Sequence, residues 1–253
     1  MSLLEKLHSG RRHTPPRICL FGAPGVGKST FASLAPAPVF IPVENGIDQL
    51  DVVSFDHCRT MAAFTACLDQ VLNDDHPFQT LVIDSLSALQ DIVVDSVLAD
   101  AKAKFLTAAY GGYNRGNDAA LMVFRKEVFP RIEAIREKRN MCILYLAHAH
   151  DETVRHADGT SERRTAPDLI APVRDYIVRN TDVLAYGRIR TMEDASGNRI
   201  VVGPNGGERE LVCEGDANLL AKNRYGIPAG PIPFTWDALC AAIKSGSGAN
   251  GGD

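Results

Sequence analysis

The chain has 253 residues, of which 45% are apolar and 23% charged. That suits one globular domain with a sizeable core and excludes a disulfide minidomain, a repeat array or wholesale disorder. A net charge of −4 excludes a uniformly basic nucleic-acid coat. The longest interior apolar run, Met141 to Ala147, is far short of the ~20 residues of a membrane-spanning helix. Glu5 and Lys6 stand where a secretory signal would be apolar, so the expectation is a cytoplasmic protein with no membrane partner.

In chain order, residues 1–16 form an N-terminal segment. Arg17 to Phe21 is a short apolar run leading into a glycine-rich turn and a helix-compatible stretch from about Gly27. Val39 to Val43, Val52 to Phe55 and Thr80 to Ile83 are further strand candidates, with a helix from Met61 to Leu72. Continuous apolar runs of this kind fit strands covered on both faces, as in parallel α/β sheets. Leu86, Leu89, Val93 and Val97, then Leu121, Phe124, Val128, Ile132 and Ile135, recur at helical spacing, and Pro130 is expected to kink the second helix. Between them lies a glycine-rich loop, TAAYGGYNRG. Met141 to Ala147 reads as a central strand.

Beyond residue 151 the texture changes to polar segments, with turn signals at Asp158-Gly159, Ser196-Gly197-Asn198 and Asn205-Gly206-Gly207 that each sit between β-compatible stretches and are expected to be hairpins. Val183 to Arg190, Arg199 to Gly203 and Glu210 to Cys213 are expected to extend the sheet antiparallel. The domain is placed at 17–244, with 245–253 (SGSGANGGD) a disordered tail. Six cysteines without a CxxC pair read as buried free thiols.

The strongest signal is Gly22-Ala23-Pro24-Gly25-Val26-Gly27-Lys28-Ser29, which satisfies GxxxxGK[ST] between a predicted strand and a predicted helix. Glycines let the backbone amides fold around phosphate oxygens. Residues 22–30, ending at Thr30, are therefore the expected nucleotide cradle, with Lys28 on the β- and γ-phosphates and Ser29 on Mg²⁺. A second metal-side carboxylate is expected at the end of an adjacent apolar strand. Asp84 after Leu81-Val82-Ile83 supplies it, although Asp84 or Ser85 would equally cap the following helix. Glu44, the only acid at the carboxyl end of the second strand, is the candidate base. His148 and His150 share a face by strand alternation. His148 is a candidate γ-phosphate sensor or a plain capping residue, and a zinc reading of the pair lacks a third ligand.

These residues resemble the RecA-like ATPase core over residues 17–226, most closely the short phage RecA-like proteins of single-strand annealing and recombination. The resemblance implies a RecA-like P-loop fold, a mostly parallel sheet flanked by helices, with ATP and Mg²⁺ as cofactors. FIPVENGID is similar to the family's catalytic-glutamate strand, TLVIDSLSAL to its Walker B strand, and CILYLAHAH places His148 where the family has its polar sensor. Lys222-Asn223-Arg224-Tyr225-Gly226 resembles the KNRFG element of RadA-type and DnaB-type relatives, whose basic residues reach a neighbour's nucleotide. That implies a homo-oligomer, with Lys222 and Arg224 acting across the interface; a solvated turn before Pro228 is the plainer alternative.

The family's channel-lining loops correspond to 108–117, with Tyr110, Tyr113 and Arg115, and to 151–165, with Arg155, His156, Arg163 and Arg164. Rings that stack on bases and arginines that meet phosphates fit single-stranded DNA. Residues 115–190 hold fourteen bases, twelve of them arginine, against eleven acids, while residues 40–100 hold eleven acids and one base. The resemblance implies an ATPase acting on single-stranded DNA, with other recombination or replication proteins as further partners and the bacterial host cytoplasm as its place if phage-encoded. The rival readings are a small-molecule kinase with 151–165 as an arginine-rich lid, and a nucleotide-gated clamp with negligible turnover. No polymerisation segment and no separate DNA-binding domain stand out.

Overall fold

A computed structural model describes residues 14–249 apart from 156, 157, 195 and 205. Most of the expected N-terminal segment, residues 250–253 of the expected tail, His156 and Asn205 lie outside the described residues. In chain order the elements are β1 (Arg17–Gly22), α1 (Lys28–Ser33), β2 (Pro38–Pro42), β3 (Val53–Ser54), α2 (Met61–Asn73), β4 (Thr80–Asp84) and α3 (Leu86–Ala101). Then come α4 (Arg115–Val123), α5 (Phe129–Lys138), β5 (Cys142–Arg155), β6 (Ser161–Pro167), α6 (Ala171–Asn180) and β7 (Val183–Ile189). The chain ends with β8 (Thr191–Glu193), β9 (Arg199–Val201), β10 (Arg209–Val212), β11 (Lys222–Asn223), β12 (Ile232–Pro233) and α7 (Trp236–Ala249).

The sheet runs β12-β10-β7-β1-β5-β4-β2-β3. Every pairing from β7 to β3 is parallel, while β10, β11 and β12 join antiparallel. The expected α/β architecture with antiparallel C-terminal strands is therefore present. Strand alternation sends Cys19, Phe21, Ile41, Ile83 and Ile143 into a core shared with α2 to α6. Ile18, Leu20, Phe40, Val82 and Leu144 face the opposite way, against Phe31 of α1 and Trp236 of α7. Both faces are dry, which is why these strands read as unbroken apolar runs.

Several expectations need correction. β7 itself lies parallel to β1, in register Cys19↔Leu184, and the antiparallel extension begins across it, where β10 pairs with it as expected. Arg199–Val201 pairs with Thr191–Glu193 in a separate two-stranded ribbon rather than in the main sheet. The segment 151–165 is not the loop the resemblance implied but the hairpin its Asp158-Gly159 turn signal predicts: β5 runs on past His148 and His150 and pairs with β6. The 245 boundary is also displaced, since α7 continues to Ala249. Gly246 is buried there, and a side chain at that position would meet the carbonyls of Tyr225 and Gly226.

Pro130 acts one step earlier than its own position. A π-helical turn, Phe124–Val128, precedes α5, and the Phe129 N–H reaches the carbonyl of Phe124. Pro130 then sits in the first turn of α5, where its missing N–H costs nothing.

Candidate nucleotide site

β1 ends at Gly22 beside Gly187 of β7. A Cβ on Gly22 would lie 2.5 Å from the Gly187 carbonyl oxygen and 3.0 Å from Val26 Cγ1, so only glycine lets the chain turn here. Gly25 and Gly27 take φ of 78° and 97°, the left-handed region that favours glycine. No side chain caps α1 at Gly27. Lys28 is buried and folds back, donating to the carbonyls of Gly22 at 3.1 Å and Ala23 at 3.2 Å. Burial pushes its ammonium pKa down, against the opposing pull of Glu44 and Asp84. Among the described residues the hydrogen bonds of this buried ammonium go to neutral carbonyls, which suits it to an anion such as a phosphate.

The carboxylate strand is not the immediate neighbour of β1: β5 lies between β1 and β4. Asp84 still reaches the cradle, because the Ser29 hydroxyl donates to Asp84 Oδ2 at 2.6 Å. The helix cap is supplied by Ser85, whose Oγ accepts from the Ala88 N–H at 3.3 Å, leaving the Asp84 carboxylate free of that duty. Desolvation pushes the Asp84 pKa up, only partly offset by the Ser29 hydrogen bond. A hydroxyl and a buried carboxylate side by side are an all-oxygen donor set, which fits magnesium, an ion that takes few protein ligands beside phosphate oxygens.

The strand between, β5, carries the third component. Its His148 N–H is fixed by Ser87 Oγ at 3.0 Å, and its Nε2 lies 2.9 Å from Glu44 Oε2. Glu44 stands two residues beyond β2, and the Asp84 carbonyl accepts from the N–H groups of Val43 at 2.6 Å and Glu44 at 3.3 Å. Lys28, Ser29, Asp84, Glu44 and His148 thus meet where β1, β2 and β4 end and β5 passes on beside them. Ser87 was not singled out from the sequence; it is the second residue of α3, a position with no composition signal of its own.

A model of the AAA domain family matches residues 14–225. The chain belongs to that family. No curated protein matches the sequence. Among solved structures, the crystal structure of the RadB recombinase is similar at 11% identity, covering 89% of this chain and 90% of that one with a TM-score of 0.46.

Other sequence candidates of this AAA domain lie elsewhere. Lys222 and Arg224 stand toward the amino end of β7, where Lys222 pairs with Leu184. The Lys222 ammonium donates to the carbonyls of Val178, Arg179 and Thr181 at the end of α6, and burial lowers its pKa. Arg224 bonds Asp182 at 3.3 Å and also the carbonyl of Arg179. Both cations therefore close the C-terminus of α6 within their own chain.

Tyr110 lies in a 3-10 turn, Ala109–Gly111, with its hydroxyl donating to Asp100 at 2.6 Å. Tyr113 is 93% exposed. Tyr110, Tyr113 and Asn114 have φ of 51°, 52° and 65°, an unusual run of left-handed non-glycine residues. Arg115 opens α4, and its guanidinium reaches back to the Tyr110 carbonyl at 3.2 Å. In the hairpin, Arg163 is exposed beside Asp151 at 2.7 Å, and Arg155 is exposed on the same face. Arg164 points the other way and, with Arg174, holds Glu152. Although burial pushes the Glu152 carboxyl up, the Arg164 hydrogen bond and the Arg174 charge outweigh it and hold it below the usual range.

Proposed function

We propose that this AAA-domain protein is a Mg²⁺-dependent ATPase of the RecA-like kind that acts on single-stranded DNA in phage-type recombination, annealing or replication. In this reading it works in the cytoplasm and assembles with copies of itself so that nucleotide lies between subunits. The observation that carries the reading is the convergence of Lys28, Ser29, Asp84, Glu44 and His148 at one end of the sheet.

In this reading Lys28 leaves the carbonyls of Gly22 and Ala23 to bind the β- and γ-phosphates, while the backbone N–H groups of residues 25–29 hold the remaining oxygens. Ser29 Oγ and Asp84 carry the magnesium ion, which when bound neutralises phosphate charge. Glu44 Oε2 accepts the proton of the attacking water. His148 Nε2 holds the Glu44 carboxylate in the resting site and turns to the γ-phosphate when nucleotide enters, so loss of phosphate reaches β5 and the hairpin beyond it. Arg155, Arg163, Tyr110, Tyr113 and Arg115 supply the DNA surface, where guanidinium and ring contacts bind without sequence preference.

The deciding experiment is ATP turnover with and without single-stranded DNA, repeated for Glu44→Gln. The expected result is DNA-stimulated phosphate release in the wild type, and in Glu44→Gln retained Mg-ATP binding with turnover lower by on the order of 10²-fold or more. Normal hydrolysis by Glu44→Gln removes the base assignment. Phosphoryl transfer to a metabolite without DNA would instead favour a kinase, and tight binding without phosphate release a clamp.

A further inference from the structure

A cleft of about 650 Å³ opens beside the phosphate cradle, between α1 and the antiparallel strands. Gly27, Thr30 and Leu34 form one wall, and Arg209, Pro233 and Phe234 the other. Its volume suits a nucleoside. The ring of Phe234 is fixed: it packs 5.2 Å from Phe31, and Gly187 must be glycine because a Cβ there would lie 2.5 Å from Phe234 Cε2.

Arg209 is the unusual member of its strand. Its neighbours are neutralised, Arg188 by Glu210 at 2.8 Å and Arg190 by Glu208 at 3.2 Å. Arg209 itself is exposed and pairs with no carboxylate among the described residues. Strand alternation turns it to the opposite face from Glu208 and Glu210, the face that Leu211 shares with Phe31. There its guanidinium lies against the cradle: a side chain on Gly27 would meet Arg209 Nη1 at 3.7 Å and Phe234 Cε1 at 3.8 Å.

We propose that this cleft takes the ribose and base of the nucleotide whose phosphates the cradle holds, and that Arg209 lies on that nucleoside end as its main specificity contact. The inference rests on the proposed nucleotide site and adds the residues that tell a nucleotide from a bare polyphosphate. A planar guanidinium offers a face for a base together with N–H donors for ribose hydroxyls, and the unpaired state of Arg209 leaves that face open. Leu34, which lines the same wall, is 60% exposed.

The test is calorimetric binding of Mg-ATP and of Mg-tripolyphosphate to the full chain and to two variants, Arg209→Ala and Leu34→Trp, with circular dichroism confirming the fold. Wild type is expected to bind ATP at least about tenfold more tightly than tripolyphosphate. Each variant is expected to lose about tenfold for ATP and less than about twofold for tripolyphosphate. Equal weakening of both ligands by Arg209→Ala, or unchanged ATP affinity in both variants, overturns the proposal. If the wild type binds tripolyphosphate and ATP alike, this inference fails while the phosphate site stands; if it binds neither, both fail.

Discussion

Asp84 is 3% exposed, and among the described residues its carboxylate receives one side-chain hydrogen bond, from Ser29. Desolvation therefore holds its pKa above the ordinary carboxylate value, and the folded protein bears a cost whenever the group is ionised. Because the folded pKa is raised, that cost is present in full above it. It falls as pH drops through it, since the native state then takes up a proton, and is gone below the unfolded value. Asp84→Asn removes the charge and keeps the shape. We expect the nucleotide-free variant to melt above wild type near neutral pH and the gap to close as pH is lowered toward the ordinary carboxylate range. Mg-ATP should no longer raise its melting temperature. Thermal unfolding across pH checks this; a gap that does not change with pH would mean that Asp84 is solvated. The motif that contains Lys28 and Ser29 is visible in sequence because backbone curvature demands glycine at fixed places. Arg209 escaped notice because an arginine in an alternating Glu-Arg-Glu strand carries no mark of which face it takes.

At the level of elements, the β5–β6 hairpin separates two kinds of arginine. Register places Thr153 opposite Arg163 and Arg155 opposite Ser161 on one face, with Glu152 opposite Arg164 on the other. Arg155 and Arg163 lie on the exposed face, Arg163 in a solvent-exposed pair with Asp151 that a phosphate would displace, whereas Arg164 stitches β6 to α6 through Glu152 and Arg174. Changing Arg155 and Arg163 together to Ala should weaken single-stranded DNA binding and flatten its salt dependence by one to two phosphate contacts, at unchanged stability. Arg164→Ala should instead lower stability by about 1–3 kcal/mol, because it removes a charged partner of the half-buried Glu152. DNA titrations at several salt concentrations and urea unfolding read the two effects; a salt slope unaltered in the double variant takes the hairpin out of the DNA path. The turn signal at Asp158-Gly159 made this hairpin legible, whereas the resemblance, which made 151–165 a channel loop, hid it, and HDETVR and SERRT carry no apolar face to mark which arginines point outward. The fully buried strands were legible for the opposite reason. Strand direction was not: β7 and β10 have similar composition, and only the α6 crossover makes one parallel and the other antiparallel.

For the whole molecule, the position of the KNRYG segment constrains how any assembly works. Lys222 pairs with Leu184, which lies opposite Cys19, three residues before the cradle begins at Gly22. That is a separation of about 10 Å along the strand, and the Lys222 side chain runs on toward the end of α6. Neither Lys222 nor Arg224 serves the phosphate site of its own chain, so a role in hydrolysis requires a neighbouring copy. The two cations are not equally available for it. Lys222 spends its three donors on carbonyls, while the side chain of Arg224 is 48% exposed beside Asp182. Arg224 is thus the better candidate to stabilise charge on a neighbour's γ-phosphoryl. Arg224→Ala should keep Mg-ATP affinity and lose turnover by on the order of 10²-fold or more. Mixing Arg224→Ala with Glu44→Gln should restore part of the lost activity, because a site with an intact Glu44 can then face an intact Arg224 from the other variant. Light scattering in the presence of Mg-ATP establishes that mixed particles larger than the 27.4 kDa monomer have formed. Mixed particles without recovered turnover would confine Arg224 to holding α6.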